Sequence, residues 1–532
     1  MKVVISIFCF AFLVADSTYA EIRLPSVISD DAIFQAGKPV RIWGWAELGA
    51  NVKVVFARSD SNSSVSFSAA CSADGKWSGE LPALKEGTVG QLIVTSDKGS
   101  RKTVSDILVG EVWLGSGQSN MEYDVQGTGR VDKRNPAEIA EVACNVVIAK
   151  KEAYAARPRI RYFRVISRRS NHPEDDVVGQ WVLGSSENVA GFSAVAWNFG
   201  VALQNRLHVP IGLIVSSVGN TPVETWMSRS ALEATSVGAG VYERSKAELA
   251  EATPERIARY TADLNAWRAA NPSVELQRQN LQSRPMPPSN LSASNYIPNQ
   301  YYNGMIHGLE PYSICGVIWF QANGNWAHPF EYSEMFQALI KEWRQEWKER
   351  ELPFYFVEEA NFHEKQTKPV EPNNYSLIRE QQHGALALPA VGMICSIDLG
   401  NGNGHFPNKK PVGERLAGLA LRDCYGEGGQ VNSPIYMSFN VEGNRIRLKF
   451  TDAQGLRVRG GGALKGFAIC GAGGEWVWAT GQIDGQDIVV WSDRVPKPVA
   501  VRYAWAVNPV VSVENGAGLP LCPFRTDTGS KE

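Results

Sequence analysis

From Leu24 to about Ser105, apolar and polar positions alternate in short runs. Val52, Val54 and Phe56 occupy every second position. Asp74-Gly75 forms a hairpin-type turn before Trp77, and Leu92-Ile93-Val94 leads into the turn Asp97-Lys98-Gly99. A period of two sends successive side chains to opposite faces of a strand, so this stretch predicts a small β-sandwich.

Near Ile107 the period changes. Apolar runs at Glu111–Leu114, Ile211–Val215, Gly316–Phe320, Pro353–Val357 and Val391–Ile397 alternate with helical stretches at Ala194–Leu207 and Phe336–Arg350. Strands that are apolar on both faces and alternate with helices predict an α/β domain with a mostly parallel, doubly covered sheet. A helical insertion interrupts it over 230–288, where Thr253-Pro254 opens a helix and Ile257, Tyr260, Leu264 and Trp267 share one face. Pro285-Met286-Pro287-Pro288 marks its exit. Alternation then returns at Ile446, Leu448 and Phe450, at Asp487–Trp491 and at Val499–Trp505. The expected partition is a β-sandwich over 21–105, an α/β domain over 106–429 and a β-rich domain over 430–532.

Residues 1–20 read as a cleavable secretory signal. Lys2 supplies the positive end, Val3–Val14 the apolar stretch and Ser17–Ala20 the small-residue cleavage site. That apolar run is too short to span a bilayer, and no second candidate span occurs, so a secreted or periplasmic protein is expected. The formal net charge of −2 over 532 residues argues against nucleic acid or an acidic membrane surface as partner, since either would need a basic surplus. Seven cysteines follow the signal (71, 144, 315, 395, 424, 470 and 522), without C-x-x-C or zinc-type spacing. A bridge or two fits that pattern, and at least one thiol stays free.

The sharpest chemical feature is Gly115-Ser116-Gly117-Gln118-Ser119-Asn120-Met121, directly after an apolar strand. A serine at the carboxyl end of a parallel strand sits where α/β sheets bind ligands. Met121 stands where the last glycine of a G-x-S-x-G elbow would be. A serine nucleophile needs a base, and His405 in the glycine-rich stretch Asp398–Pro407 follows another apolar strand. Gly219 and the segment Gln321–Asn325, after two further strands, are candidate donors to a developing oxyanion. The residue types alone also allow blander roles, with Ser119 as a helix cap and His405 as a solvated loop side chain.

Read in order, several segments resemble the sialate O-acetylesterase family, a branch of the SGNH (GDSL-like) hydrolases. They include Gly37-Lys-Pro-Val-Arg-Ile-Trp-Gly44, Gly110-Glu-Val-Trp-Leu-Gly-Ser-Gly-Gln-Ser-Asn-Met121, Tyr302-Asn-Gly-Met-Ile306, Gly316-Val-Ile-Trp-Phe-Gln321 and Gly518-Leu-Pro-Leu-Cys-Pro-Phe-Arg-Thr-Asp527. The resemblance implies a flavodoxin-like three-layer SGNH core flanked by the two β-sandwich-like regions, with no metal or other cofactor. It implies hydrolysis of acetyl esters on sialic acid or a related glycan. By position, Ser119 resembles the nucleophile and His405 the general base. Gly219, Gln321 and Asn325 resemble oxyanion donors, with Gln118 and Asn403 among the substrate-side residues. Three places depart from the family pattern: Asn323 and Asn403 stand where acids are usual, and Val218-Gly219-Asn220 stands where the family has a glycine pair. Asp398 or a backbone carbonyl is then left to orient His405. The same residues would serve a xylan-type polysaccharide acetylesterase, and the two asparagines would suit a catalytically weak carbohydrate-binding relative.

Overall fold

The structure is a computed structural model that describes residues 21–131, 135–156, 159–251, 253–272, 283, 285, 297–370 and 373–527. The signal segment and most of the expected exit of the insertion lie outside the described residues.

The amino-terminal region contributes strands β1 (Ile33–Gln35), β2 (Val40–Trp45), β3 (Asn51–Arg58), β4 (Ser64–Ala70), β5 (Lys76–Leu81) and β6 (Val89–Ser96). In β3 the predicted alternation holds, with Val52, Val54 and Phe56 fully buried between exposed or half-buried neighbours. Strand β7 (Arg101–Gly117) is long enough to serve two regions. Its first half pairs antiparallel with β6, and its second half becomes the centre of a parallel sheet. The sequence shows this change directly, since Arg101-Lys-Thr is exposed while Val109–Gly117 is buried throughout.

After β7 come a short helix α1 (Ser119–Glu122), then α2 (Pro136–Ala156), β8 (Ile160–Val165), β9 (Gly179–Leu183), α3 (Ala194–Leu207) and β10 (Ile211–Ser217). Between β10 and the next strand of the sheet lie α4 (Arg229–Glu233), α5 (Gly238–Glu251) and α6 (Pro254–Ala270). Thr253 caps α6 by accepting from Arg256 N at 3.3 Å, and Pro254 opens its first turn, as expected. The sheet resumes with β11 (Gly316–Phe320), α7 (Pro329–Glu346), β12 (Phe354–Val357), α8 (Asn374–Gln382), β13 (Val391–Ile394) and α9 (Lys410–Tyr425). Its order is β13-β12-β11-β7-β10-β8-β9, parallel except for β9.

Helices cover both faces. On one, Val195, Phe199 and Leu203 of α3 and Leu416, Leu419 and Ala420 of α9 pack over Leu213, Ile318 and Tyr355. On the other, Phe336, Leu339, Ile340 and Trp343 of α7 pack over Trp319, Phe354 and Phe356, in a core continuous with β3 and β6. Each such fully buried side chain contributes roughly 1.5–3 kcal/mol over its exposed state. Helix α3 is capped by the Ser193 hydroxyl and stops at His208, in the left-handed region at φ 59°. Helix α9 begins at Lys410-Pro411 and stops at Gly426, φ 69°. These caps hold the helices in register with the strands whose ends carry the chemistry.

Beyond α9, strands β14 (Ile435–Glu442), β15 (Arg445–Thr451), β16 (Arg457–Val458), β17 (Phe467–Gly471), β18 (Trp476–Trp478), β19 (Thr480–Asp484), β20 (Asp487–Trp491), β21 (Pro498–Tyr503), β22 (Val513–Glu514) and β23 (Phe524–Arg525) follow. Two four-stranded antiparallel sheets, β14-β15-β20-β19 and β18-β17-β21-β23, enclose a core of Ile446, Leu448, Ile469, Val490, Val501 and Tyr503. All seven cysteines after the signal are free thiols. Among the described residues no helix is long and apolar enough to cross a membrane.

Candidate active site

All the chemistry-bearing loops leave the carboxyl ends of parallel strands, where the chain order reverses around β7. That is where open α/β sheets form their binding crevice. Gly117 ends β7 at φ 129°, and a Cβ there would stand 2.4 Å from the Phe320 carbonyl oxygen on β11. Only glycine fits so close an approach. The same Phe320 carbonyl accepts from Gln118 N at 2.9 Å, locking the turn. Ser119 follows as the first residue of α1 and is 8% exposed. Among the described residues neither its hydroxyl nor its backbone N–H has a hydrogen-bond partner, so both stay available to a reactant.

The loop after β13 comes to meet this turn. Asn120 donates from Nδ2 to the Gly404 carbonyl at 3.1 Å, joining the neighbours in sequence of Ser119 and His405. Lys409, 1% exposed, donates from Nζ to Asn120 Oδ1 at 2.6 Å, its ammonium lying 3.4 Å from the Phe406 ring centroid. Burial holds the Lys409 amine well below the usual lysine range. The imidazole of His405 is brought down to about 4 by burial, with the Arg130 and Lys409 cations adding to the effect. It is therefore a neutral ring at ordinary pH, the form a general base needs.

Arg130 and Glu122 lie against the same place. Arg130 Nη1 is 3.5 Å from His405 Nε2, and its Nη2 donates to Glu122 Oε2. That carboxylate oxygen also accepts the Gly219 N–H at 2.9 Å. The expected oxyanion donor at Gly219 is thus already engaged, by an acid on the helix that carries the serine.

The remaining expected donors are engaged too. Gln321 is fully buried and directs Nε2 to Thr221 O (3.1 Å) and Asn325 Oδ1 (2.9 Å), while its Oε1 accepts from Tyr332. Asn325 gives Nδ2 to the half-buried Glu224 at 2.7 Å and accepts from Val223 N. Both amides are thus bonded to Thr221, Val223, Glu224 and each other, and neither bonds Ser119 among the described residues. Gln118 accepts the Gly324 N–H on Oε1 at 3.0 Å, tying the β7 and β11 ends together.

Asp398 also departs from expectation. Its fully buried carboxylate accepts from Arg415 at 2.7 and 2.8 Å and from Arg459 at 2.7 Å. These two guanidiniums more than offset the cost of burial, and its pKa lies below the ordinary carboxylate value. Asp398 therefore anchors the base of the loop to α9 and to Arg459 just after β16, and both its oxygens are committed there. An acid that does hydrogen-bond the His405 loop is Glu138 of α2. It accepts from Asn403 Nδ2 at 3.1 and 3.2 Å and from Asn401 Nδ2 at 3.2 Å. Asn403 in turn accepts the His405 backbone N–H at 3.1 Å, so its place is under the histidine, holding the backbone. Nothing in the sequence around Glu138 marked it, because it lies far upstream on a helix of weak periodicity. Arg130 and Glu122 were equally silent as single charges in a loop and a turn.

For metal chemistry, one group stands out among the described residues. Glu358, Cys395 and Cys522 place ligand-type atoms within 4.8 Å of one another, all buried. The Glu358 oxygens are already bonded there, one to His383 Nε2 at 2.7 Å and one to the Cys395 thiol at 3.0 Å. Burial, with Cys522 and Glu358 close by, pushes the Cys395 thiol well up, so it is a proton donor to Glu358 and not a thiolate.

Comparison with known proteins points one way. Residues 289–422 match the family model described as a carbohydrate esterase, sialic acid-specific acetylesterase. The rat sialate O-acetylesterase is 26% identical over 514 residues, covering 88% of this chain and 86% of the relative. The human enzyme is also 26% identical, covering 92% and 88%. The crystal structure of a carbohydrate acetylesterase from Xanthomonas citri superposes with a TM-score of 0.76 at 32% identity, covering 95% of this chain and all of that one. Fold, site and relatives together define a carbohydrate esterase with a serine at the end of its central strand. Within that class, the chain belongs to the sialate O-acetylesterase family.

Proposed function

We propose that this esterase removes acetyl groups from the hydroxyls of sialic acid, with Ser119 as nucleophile and His405 as general base. Ser119 Oγ attacks the acetyl carbonyl as its proton passes to His405 Nε2, and the carbonyl π pair moves onto oxygen. Collapse of the tetrahedral adduct breaks the bond to the sugar oxygen, which takes the proton from His405. Water then enters by the same route, gives its proton to His405, and acetate leaves as Ser119 is restored. The neutral imidazole, the free Ser119 hydroxyl and the free Ser119 N–H suit each step.

The observation that carries this reading is the hydrogen bond from Asn120 to Gly404, which brings two loops from opposite parts of the chain together beside Ser119 and His405. The strand order supports the finer fold assignment. Leaving aside β8 and β9, the parallel strands run β10-β7-β11-β12-β13, the 2-1-3-4-5 order of flavodoxin-like sheets and hence of an SGNH core. We assign 21–105, 106–429 and 430–532 as the domains on the same basis, and the amino-terminal signal as directing export. The test is release of acetate from O-acetylated sialic acid by wild type and by Ser119→Ala. The variant should keep the fold, seen by circular dichroism, and lose activity. Turnover by the variant at the wild-type rate would reject the reading. A panel including acetylated xylan separates the sialic acid assignment from a polysaccharide one.

A further inference from the structure

A tetrahedral intermediate needs two or three donors on its oxyanion, and each removes roughly 3–4 kcal/mol of barrier. Of the candidate donors Ser119, Gly219, Gln321 and Asn325, the Ser119 N–H alone has no partner among the described residues. The Gly219 N–H is engaged by Glu122, and the Gln321 and Asn325 amides are engaged by Thr221, Asn325 and Glu224. A strong donor nevertheless stands at the site. Arg130 Nη1 is 3.5 Å from the Nε2 of His405, the atom that must face Ser119 Oγ during attack. A Cβ built on Gly219 would meet Arg130 Nη2 and Glu122 Oε2, each at 3.1 Å. The guanidinium therefore lies between the base and the strand end at which the oxyanion is expected.

Its placement is supported. Nη2 is held by Glu122, Glu122 is held by the Gly219 N–H, and the Arg130 backbone N–H donates to the Gly127 carbonyl at 3.1 Å. Both side chains are about a quarter exposed, Arg130 at 23% and Glu122 at 26%, so a substrate can reach them. The planar fork lets one nitrogen stay on the Glu122 carboxylate while the other turns to a second oxygen.

We infer that Arg130 is a catalytic residue of the proposed Ser119–His405 reaction, donating from Nη1 to the oxyanion, with the Glu122–Gly219 pair as its support. When the acetyl carbonyl enters, Nη1 moves off His405 Nε2 and onto the carbonyl oxygen, which frees the imidazole to accept the Ser119 proton. Negative charge that forms on oxygen is met by a fixed cation in a partly water-excluded cleft. Glycine and amide donors that have gone to structural work are replaced by a single guanidinium. The assignment rests on the esterase mechanism above but not on which sugar is the substrate.

The test uses p-nitrophenyl acetate, a neutral ester, so that recognition of an acidic sugar plays no part. Arg130→Met should lower kcat by about 10²–10³-fold with little change in KM. Arg130→Lys should recover part of the loss, and added guanidinium should partly rescue Arg130→Ala but leave Ser119→Ala inert. Should the Met variant fail to fold, the Lys and Ala variants carry the same comparison. Three results would overturn the inference: an unchanged rate, a raised rate showing that Arg130 merely blocks the site, or a loss confined to acidic sugar esters. If Ser119→Ala stays active, the mechanism itself falls, whatever Arg130 does.

Discussion

Asn120 Nδ2 donates to the carbonyl of Gly404, 284 positions further along the chain, at 3.1 Å. Its Oδ1 accepts from the buried Lys409 Nζ at 2.6 Å. One amide thus ties the serine turn to the histidine loop and satisfies an ammonium that has almost no water. Asn120→Ala removes both bonds. A hydrogen bond to a charged group is worth about 2 kcal/mol, and the cation left behind adds a desolvation cost. The variant should lose stability in urea unfolding and also lose kcat, through a looser Ser119–His405 geometry. Adding Lys409→Met should return much of the stability and little of the rate. If the double variant regained full activity, the tie between loops would have no catalytic weight.

How far this site was legible in the sequence depends on how each residue works. Ser119 and His405 stood out because each follows an apolar strand in a stretch of small residues; β7 and β13 lie apart in the sheet, and it is the Asn120–Gly404 bond that joins the loops after them. Strands β11 and β20 and helix α3 lie where period and caps placed them. Strand β8 was harder to read by pattern, because Arg161 interrupts its apolar run and is buried all the same, its charge met by Asp106 at 3.0 Å. Helix α2 leaves Ile139, Val147 and Tyr154 exposed, so no apolar stripe announces it. Asp398, Gln321 and Gly219 looked like chemistry because of where they fall in the chain. Their partners Arg415, Thr221 and Glu122 come from other segments, and only the folded chain shows that they are already engaged.

The His405 imidazole, held near 4 by burial and by the Arg130 and Lys409 cations, makes a kinetic prediction. The base is neutral at every pH above about 5, so kcat/KM on p-nitrophenyl acetate should be level from pH 6 to 8 and fall only as pH nears 4. The same shift acts on stability. An unfolded histidine takes up its proton near 6.5 while the folded one resists, so this group's contribution is present above 6.5 and lost as pH falls toward 4. A rate profile with its acid limb at the ordinary histidine value would mean that the base is another group, or that it works in water.

Glu138 should matter although it lies 267 positions upstream of His405. Its carboxylate holds Asn401 and Asn403, and Asn403 holds the His405 backbone N–H. Misplacing a catalytic group by about 1 Å can cost on the order of 10²-fold in rate. Glu138→Ala should lower kcat by about 10- to 100-fold and leave the melting temperature within a few degrees of wild type. Equal kcat in the two proteins would show that the loop holds His405 without this acid.

Three buried carboxyls set the alkaline side of stability. Burial raises Glu310 to about 8 and both Glu342 and Glu359 to about 7, against about 4.5 in an unfolded chain. A folded value above the unfolded one means that the unfolded chain gives up its proton first as pH rises. The contribution of these groups is full below about 4.5 and is lost as pH rises through 7 and 8. His405 no longer titrates in that upper range, so the melting temperature should fall between pH 6.5 and 8.5. Glu310 has the highest value of the three, and its Oε1 has no hydrogen-bond partner among the described residues. Glu310→Gln keeps the shape and removes the ionisation, so it should flatten the upper part of the curve and leave the protein more stable than wild type at pH 8.5. Calorimetry across that range decides it. If wild type and variant melt in parallel, Glu310 carries no charge change on unfolding, and the decline must come from elsewhere.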